Sequence, residues 1–179
     1  MNVEQKGVGP VFSPFTQSLL AVHQYQGKSN DCGPYTAAIV INALQGLRLD
    51  GTQLAHQMER LNFRPFLTVR RFPGWATFPW GVTGVLREYG LKSSWHFLAN
   101  QGLLDRALSH SIAIPIFGSW KPFWAHFAIL VADHPELGWG FVDPAHPKGE
   151  IIWRSKSDYK HLWRAFGNLL VTVNFSQIS

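Results

Sequence analysis

An α+β domain is what this sequence predicts, with its helices first in the chain and an antiparallel sheet after them. Three observations carry that expectation. Up to about residue 110 the long apolar segments follow helical spacing, and beyond it the apolar residues fall in short runs separated by turn residues. The third observation is compositional: 179 residues, 46% hydrophobic and 15% charged, with eight Trp and thirteen Phe, describe one packed domain rather than a disordered or repetitive chain.

The elements follow in order. Residues 1–24 contain Gly7, Gly9, Pro10 and Pro14 and read as an arm around the domain, with Leu19-Leu20-Ala21-Val22 as a short strand. Residues 33–47 are apolar on nearly every face, which marks a helix buried all round. Its start carries Asp31-Cys32-Gly33-Pro34, with Pro34 suited to the first helical position and Asp31 or Gly33 as the cap. A second helix runs over 52–61, capped by Thr52, with Leu54, Met58 and Leu61 on its apolar face. Residues 62–81 hold three prolines and two glycines and read as a long ordered loop. A third helix covers 82–89 and stops at Gly90, a strand covers 91–98, and a short helix covers 102–109. Strands are then expected at 112–117, 126–132, 140–143, 150–154 and 169–175, with a helix at 157–166. Pro115 points to an edge strand or a strand end. The division is a mainly helical part at 20–110 and a mainly β part at 111–175, two layers of one domain spanning 1–179.

Several function classes fall away. No apolar run reaches the roughly 18 residues of a membrane span, and the N-terminus lacks a signal-peptide core, so the expected location is cytoplasmic. One cysteine permits no internal disulfide. The formal charge of +5, with Arg60, Arg64, Arg70 and Arg71 among Phe63, Phe66, Phe72, Trp75, Phe78 and Trp80, raises a single-stranded nucleic-acid groove as an alternative. Without a phosphate-binding loop or zinc-finger spacing, the better reading is a solvated loop with aromatics facing a cleft. Asp133, His134, Asp143 and His146 are metal-ligand types, but they run through turns without compact ligand spacing, so no metal or other cofactor is expected.

The chemistry converges on Cys32, the only cysteine. A helix start offers unpaired N–H groups, a setting suited to a nucleophilic sulfur. Such a sulfur needs a base, a group to orient that base, and oxyanion donors. Of eight histidines, His126 alone opens an apolar strand just after an aromatic loop, Trp120-Lys121-Pro122-Phe123-Trp124. His23, His56, His96, His110 and His161 read as surface or packing residues. The following strand ends in Asp143-Pro144, and if the two strands pair as a hairpin, Asp143 can approach His126. Gln26, with Gln24 as its rival, could bring an amide donor to the cysteine.

Gln26 and Asp31-Cys32-Gly33-Pro34, then Trp124-Ala125-His126-Phe127-Ala128-Ile129-Leu130, then Phe141-Val142-Asp143-Pro144-Ala145, resemble the bacteriocin-processing peptidases and their papain-like relatives. Phe78-Pro79-Trp80-Gly81-Val82, with Leu86 and Gly90-Leu91, is similar to their middle helix, and the resemblance covers about residues 20–170. It implies a papain-like cysteine peptidase in which Cys32 is the nucleophile, His126 the general base and acid, Asp143 the orienting carboxylate and Gln26 the oxyanion donor. Trp80, Trp120 and Trp124 are the expected substrate-binding aromatics of the cleft walls. Family members joined to exporters cleave leader peptides after a double glycine. This sequence carries neither transporter spans nor an ATP-binding motif, so the expected partner stays a peptide or protein substrate. Acyl transfer through the same thioester, and a non-catalytic peptide- or nucleic-acid-binding module on this fold, are the alternatives.

Overall fold

The computed structural model describes residues 9–59 and 69–174. The elements run β1 (Val11–Phe12), α1 (Thr16–Ala21), α2 (Cys32–Gln45), α3 (Gly51–Met58), β2 (Arg71–Phe72), β3 (Ala76–Thr77), α4 (Pro79–Glu88), β4 (Lys92–His96) and α5 (Gln101–His110). They continue as β5 (Ile112–Trp120), β6 (Phe123–Phe127), β7 (Ile129–His134), β8 (Gly138–Val142), β9 (Ile152–Arg154), α6 (Lys156–Ala165) and β10 (Leu170–Asn174). The main sheet is antiparallel in the order β4-β10-β5-β7-β8-β9, with β6 beside β5 and β1 beside β7, and β2 and β3 form a separate hairpin. The α+β class is as expected.

The helix α2 is the post of the structure. Ala37 to Ile41 have no exposed surface, and α1, α3 and α4 pack around them. Each fully buried large aliphatic side chain here stabilises the fold by about 1.5–3 kcal/mol. Its apolar circumference follows from this position, because every residue from Thr36 to Asn42 is buried, whichever way it faces.

The sheet has cores on both faces, so the molecule has three layers where two were expected. Ile112, Ile114 and Ile116 of β5 and Ile129 and Val131 of β7 join the α2 core. The alternating residues Ala113, Phe117 and Leu130 join a second core with Leu104 and Leu108 of α5 and Tyr159 and Trp163 of α6. Two-sided burial explains why these strands are apolar at nearly every position rather than at every second one. The helical and β parts of the chain also interleave, since β4 adds an edge to the sheet and α5 covers its far face.

Other local expectations change. Leu19 lies in the helix α1, not in a strand. Ser13 starts that helix by accepting from both the N–H (3.1 Å) and the hydroxyl (2.7 Å) of Thr16. Asp50, not Thr52, caps α3, its carboxylate accepting from the N–H groups of Thr52 (2.8 Å) and Gln53 (3.2 Å). Leu61, Arg60, Arg64, Phe63 and Phe66 lie outside the described residues. The rest of the expected 62–81 loop is the β2–β3 hairpin and the first turn of α4, with Pro79 at its start. Gly90 ends α4 with φ +78°, a conformation that favours glycine.

Pro115 sits in the middle of a central strand rather than at an edge. The registers Ile116↔Phe127 and Ala113↔Leu130 place it opposite Ala128, the residue at which the line of β6 and β7 is interrupted. The ladder breaks where proline has no N–H to give. On the other side, the N–H of Ile116 bonds to the carbonyl of Leu169 (3.0 Å), so the pairing with β10 is kept.

Candidate active site

Cys32 is the first residue of α2 and is buried, with 7% of its surface exposed. Asp31 occupies the cap position, but its side chain makes no capping bond. Instead Asp31 pairs with the buried guanidinium of Arg71 at 2.6 Å. Pro34 falls at the third helical position, where its missing N–H still costs no helical bond.

The histidine and aspartate come together through sheet register. Ile129↔Val142 places Asp143 level with Ala128, and His126, two residues further along the same line, shares its face. Across that diagonal, His126 Nε2 donates to Asp143 Oδ1 at 2.6 Å. The same Oδ1 accepts from the Ala145 N–H at 2.8 Å in a turn closed by Asp143-Pro144. Phe117 packs against the imidazole edge to face at 5.4 Å. With Nε2 engaged, Nδ1 is the ring nitrogen left to serve Cys32, which lines the same cleft.

Electrostatics follow from these contacts. Burial alone would drive His126 neutral. Hydrogen bonds to Asp143 and Cys32, and their charges, outweigh it and hold the His126 pKa up at about 10. Burial likewise opposes ionisation of Asp143, but the bond and charge of His126, the Ala145 N–H and the charge of Arg154 keep its carboxyl below the usual range.

Gln26 reaches the same place. Its backbone N–H bonds to the Pro144 carbonyl at 2.8 Å, and its side-chain Nε2 donates one hydrogen to the Ser29 carbonyl at 2.7 Å. The amide has a second N–H, and Gln26 lines a cleft of about 220 Å³ together with Cys32, His126, Thr77, Trp75 and Trp124. Gln24 is committed elsewhere, to the Leu49 carbonyl (2.7 Å) and the Gly51 N–H (2.9 Å). A larger hollow of about 560 Å³ lies on the other side of His126 and Trp124, bordered by Asp143, Arg154 and Tyr159.

Of the three tryptophans expected at the cleft, Trp124 lines it. Trp80 does not. It stacks on Phe78 (4.5 Å, 5°) and donates Nε1 to the Val69 carbonyl at 2.9 Å. Trp120 also lies outside the lining, stacked on Phe166 (5.1 Å, 3°) at the end of β5. Trp75 and Phe123 stand at the cleft instead.

Three contributors were not legible. His23, read as a surface or packing residue, is half-buried, and its Nε2 contacts the Asp143 backbone carbonyl at 3.0 Å and helps hold the aspartate turn. Arg71 braces the residue before the cysteine. Thr77 packs on Gly33, where an added Cβ would come within 2.6 Å of Thr77 Cγ2, so glycine is needed for the hairpin to approach the helix start. Residues 23 and 143 are 120 positions apart, and nothing in the sequence signals that contact.

The possible metal ligands do not gather. Asp133 pairs with Lys156, His134 Nδ1 accepts from the N–H groups of Glu136 and Leu137, and His146 lies 3.8 Å from Glu150. Among the described residues, no group of three or more His, Cys, Asp or Glu could hold a metal ion. Nor is any helix among them long and apolar enough to cross a membrane.

No family model matches this sequence, and no curated protein matches it. Solved structures do. A C39-like peptidase from Bacillus anthracis superposes with a TM-score of 0.69 at 12% identity, over 94% of this chain and 99% of that one. The peptidase domain of Streptococcus ComA, a bifunctional ABC transporter of a quorum-sensing pathway, gives 0.60 at 16% identity, over 86% and 97%. A double-glycine-motif protease from an AMS/PCAT transporter, in complex with its leader peptide, gives 0.55 at 14% identity, over 84% and 89%. The chain therefore has the papain-like fold of the C39-like and double-glycine peptidase domains.

Proposed function

We propose that this protein is a cysteine peptidase that hydrolyses a peptide or related amide bond through a Cys32 thioester. The observation that carries the reading is the His126 ring held between Asp143, at 2.6 Å, and Cys32. Sγ of Cys32 adds to the substrate carbonyl carbon, and the developing oxyanion takes the free N–H of the Gln26 amide and the Cys32 backbone N–H. His126 then gives its proton to the amine nitrogen as the C–N bond breaks. Water adds to the thioester, losing a proton to His126, and the C–S bond breaks to release the acid. Asp143 keeps the imidazole in one orientation throughout, and Trp124 supplies an apolar wall. The likeness in fold to peptidase domains supports this reading, and the leader peptide bound to one of them suggests a peptide substrate here too.

Labelling with iodoacetamide or an epoxide warhead, read by peptide mass mapping, tests the site. Cys32 should be labelled, and folded His126→Ala protein should lose most of the labelling. Equal labelling in the two proteins would sink the assignment. A peptide-library cleavage profile, with Cys32→Ala as the blank, then defines what the cleft accepts.

A further inference from the structure

A line of exposed rings crosses the mouth of the cleft. Trp95 meets Trp80 (6.0 Å), Trp80 stacks on Phe78, Phe78 meets Phe72 (5.7 Å), and Phe72 meets Trp75 (5.6 Å). From there Trp75 meets Phe123 across the cleft (6.5 Å), and Phe123 meets Trp120 (5.5 Å), which lies on Phe166. Trp75 is 61% exposed, Trp120 62% and Phe123 52%; Phe97, packed over Gly167, is as exposed as Trp120, and its neighbour Leu98 is more so. Leaving out Phe78 and Phe166, which are half-buried, and counting Phe97, seven rings, each about half exposed at roughly 200 Å² per ring, amount to on the order of 700 Å² of aromatic surface. Soluble monomers generally keep their largest apolar patch to about 300–600 Å².

The segments that carry these rings hold charge of one sign. Segments 72–80, 92–98, 119–124 and 164–168 carry Lys92, Lys121 and Arg164 and not one Asp or Glu. Asp31 and Glu59, which the β2–β3 hairpin does meet, are both paired with Arg71. The rings are also borne on tips: Trp75 in the β2–β3 turn, Trp120 and Phe123 at the β5–β6 turn, Phe97 and Leu98 after β4, and Phe166 after α6. Leu98 is held there at φ +57°, an uncommon conformation for a leucine that is 69% exposed.

We propose that this aromatic belt docks the protein onto the surface of an anionic lipid bilayer. Tryptophan and phenylalanine on protruding turns suit the boundary between headgroups and acyl chains, where an amphipathic ring keeps one side wet. Lys121, between Trp120 and Phe123, and Arg164, two residues before Phe166, match anionic headgroups. The surface is independent of the peptidase reading and holds whether or not Cys32 turns over a substrate.

Flotation of the full chain with vesicles tests it, using phosphatidylcholine alone and phosphatidylcholine mixed with phosphatidylglycerol. The expected result is binding to the anionic vesicles, with a blue shift of tryptophan emission, and binding to neutral vesicles weaker by about tenfold or more. The paired substitutions Trp95→Ser with Leu98→Ser, and Lys121→Glu with Arg164→Glu, should each lower the anionic partition by a similar factor. Unfolding curves and Cys32 alkylation should stay unchanged, showing that the variants are folded. The proposal is overturned if the folded wild-type chain stays free of anionic vesicles. It is equally overturned if both variant pairs bind like wild type, or if an acidic apolar peptide saturates the belt while vesicles do not bind.

Discussion

The backbone N–H of Gln26 is bonded to the carbonyl of Pro144 at 2.8 Å, which ties the candidate oxyanion donor to the turn that carries Asp143. His23 secures the same turn through the Asp143 carbonyl. The loop before α2 and the end of β8 are therefore one assembly, although they come from opposite parts of the chain. Removing the Gln26 side chain leaves the backbone tie in place, which makes it a clean probe of the amide. Gln26→Ala should lower kcat by about 10²–10³-fold, as loss of an oxyanion donor does, while iodoacetamide labelling of Cys32 changes by no more than about twofold because alkylation forms no oxyanion. A parallel collapse of labelling and cleavage would show that Gln26 shapes the site instead.

The His126–Asp143 pair sets a stability window in pH. His126 has a folded pKa raised to about 10, so its contribution is fully present below its unfolded value near 6.5 and is lost as pH rises through about 10. Asp143 has a lowered folded value, so its contribution is present above 3.8 and is lost as pH falls through the depressed value. Denaturant unfolding of wild type and His126→Ala near pH 6, 8 and 10 should show a stability gap that narrows with rising pH. A gap that stays constant over that range would contradict the pairing of charges.

Arg71 is 4% exposed and reaches Asp31 at 2.6 Å, so it is a buried tether from the β2–β3 hairpin to the helix start. Arg71→Met strands the Asp31 carboxylate and should cost about 3 kcal/mol, the lower end of what breaking a buried ion pair costs, since Asp31 keeps some exposure. Adding Asp31→Asn should recover part of that loss, because an amide is cheaper to leave unpaired than a charge. Chemical unfolding of the two variants checks this. Additive losses would mean that the contact contributes nothing.

What could be read from the chain alone was local or periodic. The start of α2 was legible to within two residues because a polar loop changes to an apolar helix there, although Pro34 was expected at the first helical position and Cys32 holds it. The approach of Asp143 to His126 was legible because the two flank the paired strands β7 and β8, although His126 lies near the end of β6 rather than opening the 126–132 strand that was expected. The tether of Arg71 to Asp31 was not, because it spans 40 residues with no pattern between them. The third layer was present as a signal: the near-continuous apolar runs of β5, β7 and β8 state that both faces are buried, which requires helices on each side. The aromatic walls misled more. Trp120 stands in the same aromatic loop as Trp124, and Trp80 in the motif that opens α4, but ring stacking on Phe166 and Phe78 turns them along the surface rather than into the cleft.

Gly33 follows Cys32 and gives the sharpest steric test of how the site is closed. Thr77 of β3 lies against it so closely that a new Cβ would meet Cγ2 at 2.6 Å, Cβ at 2.8 Å and Oγ1 at 3.1 Å. Backbone conformation is no obstacle here, because Gly33 is helical, so the whole effect of a methyl group is the collision. Gly33→Ala should therefore push the hairpin away and cost about 1–3 kcal/mol, the range for overpacking a close contact. Cleavage should fall with it, because Trp75 and Thr77 line the cleft from that hairpin. Thr77→Gly removes all three colliding atoms, so the double variant should regain stability relative to Gly33→Ala. Thr77→Ala keeps the Cβ at 2.8 Å and should regain less. Unfolding curves for the three proteins decide the matter: no difference between the two rescues would mean that the methyl group is accommodated by movement of α2 and not of the hairpin.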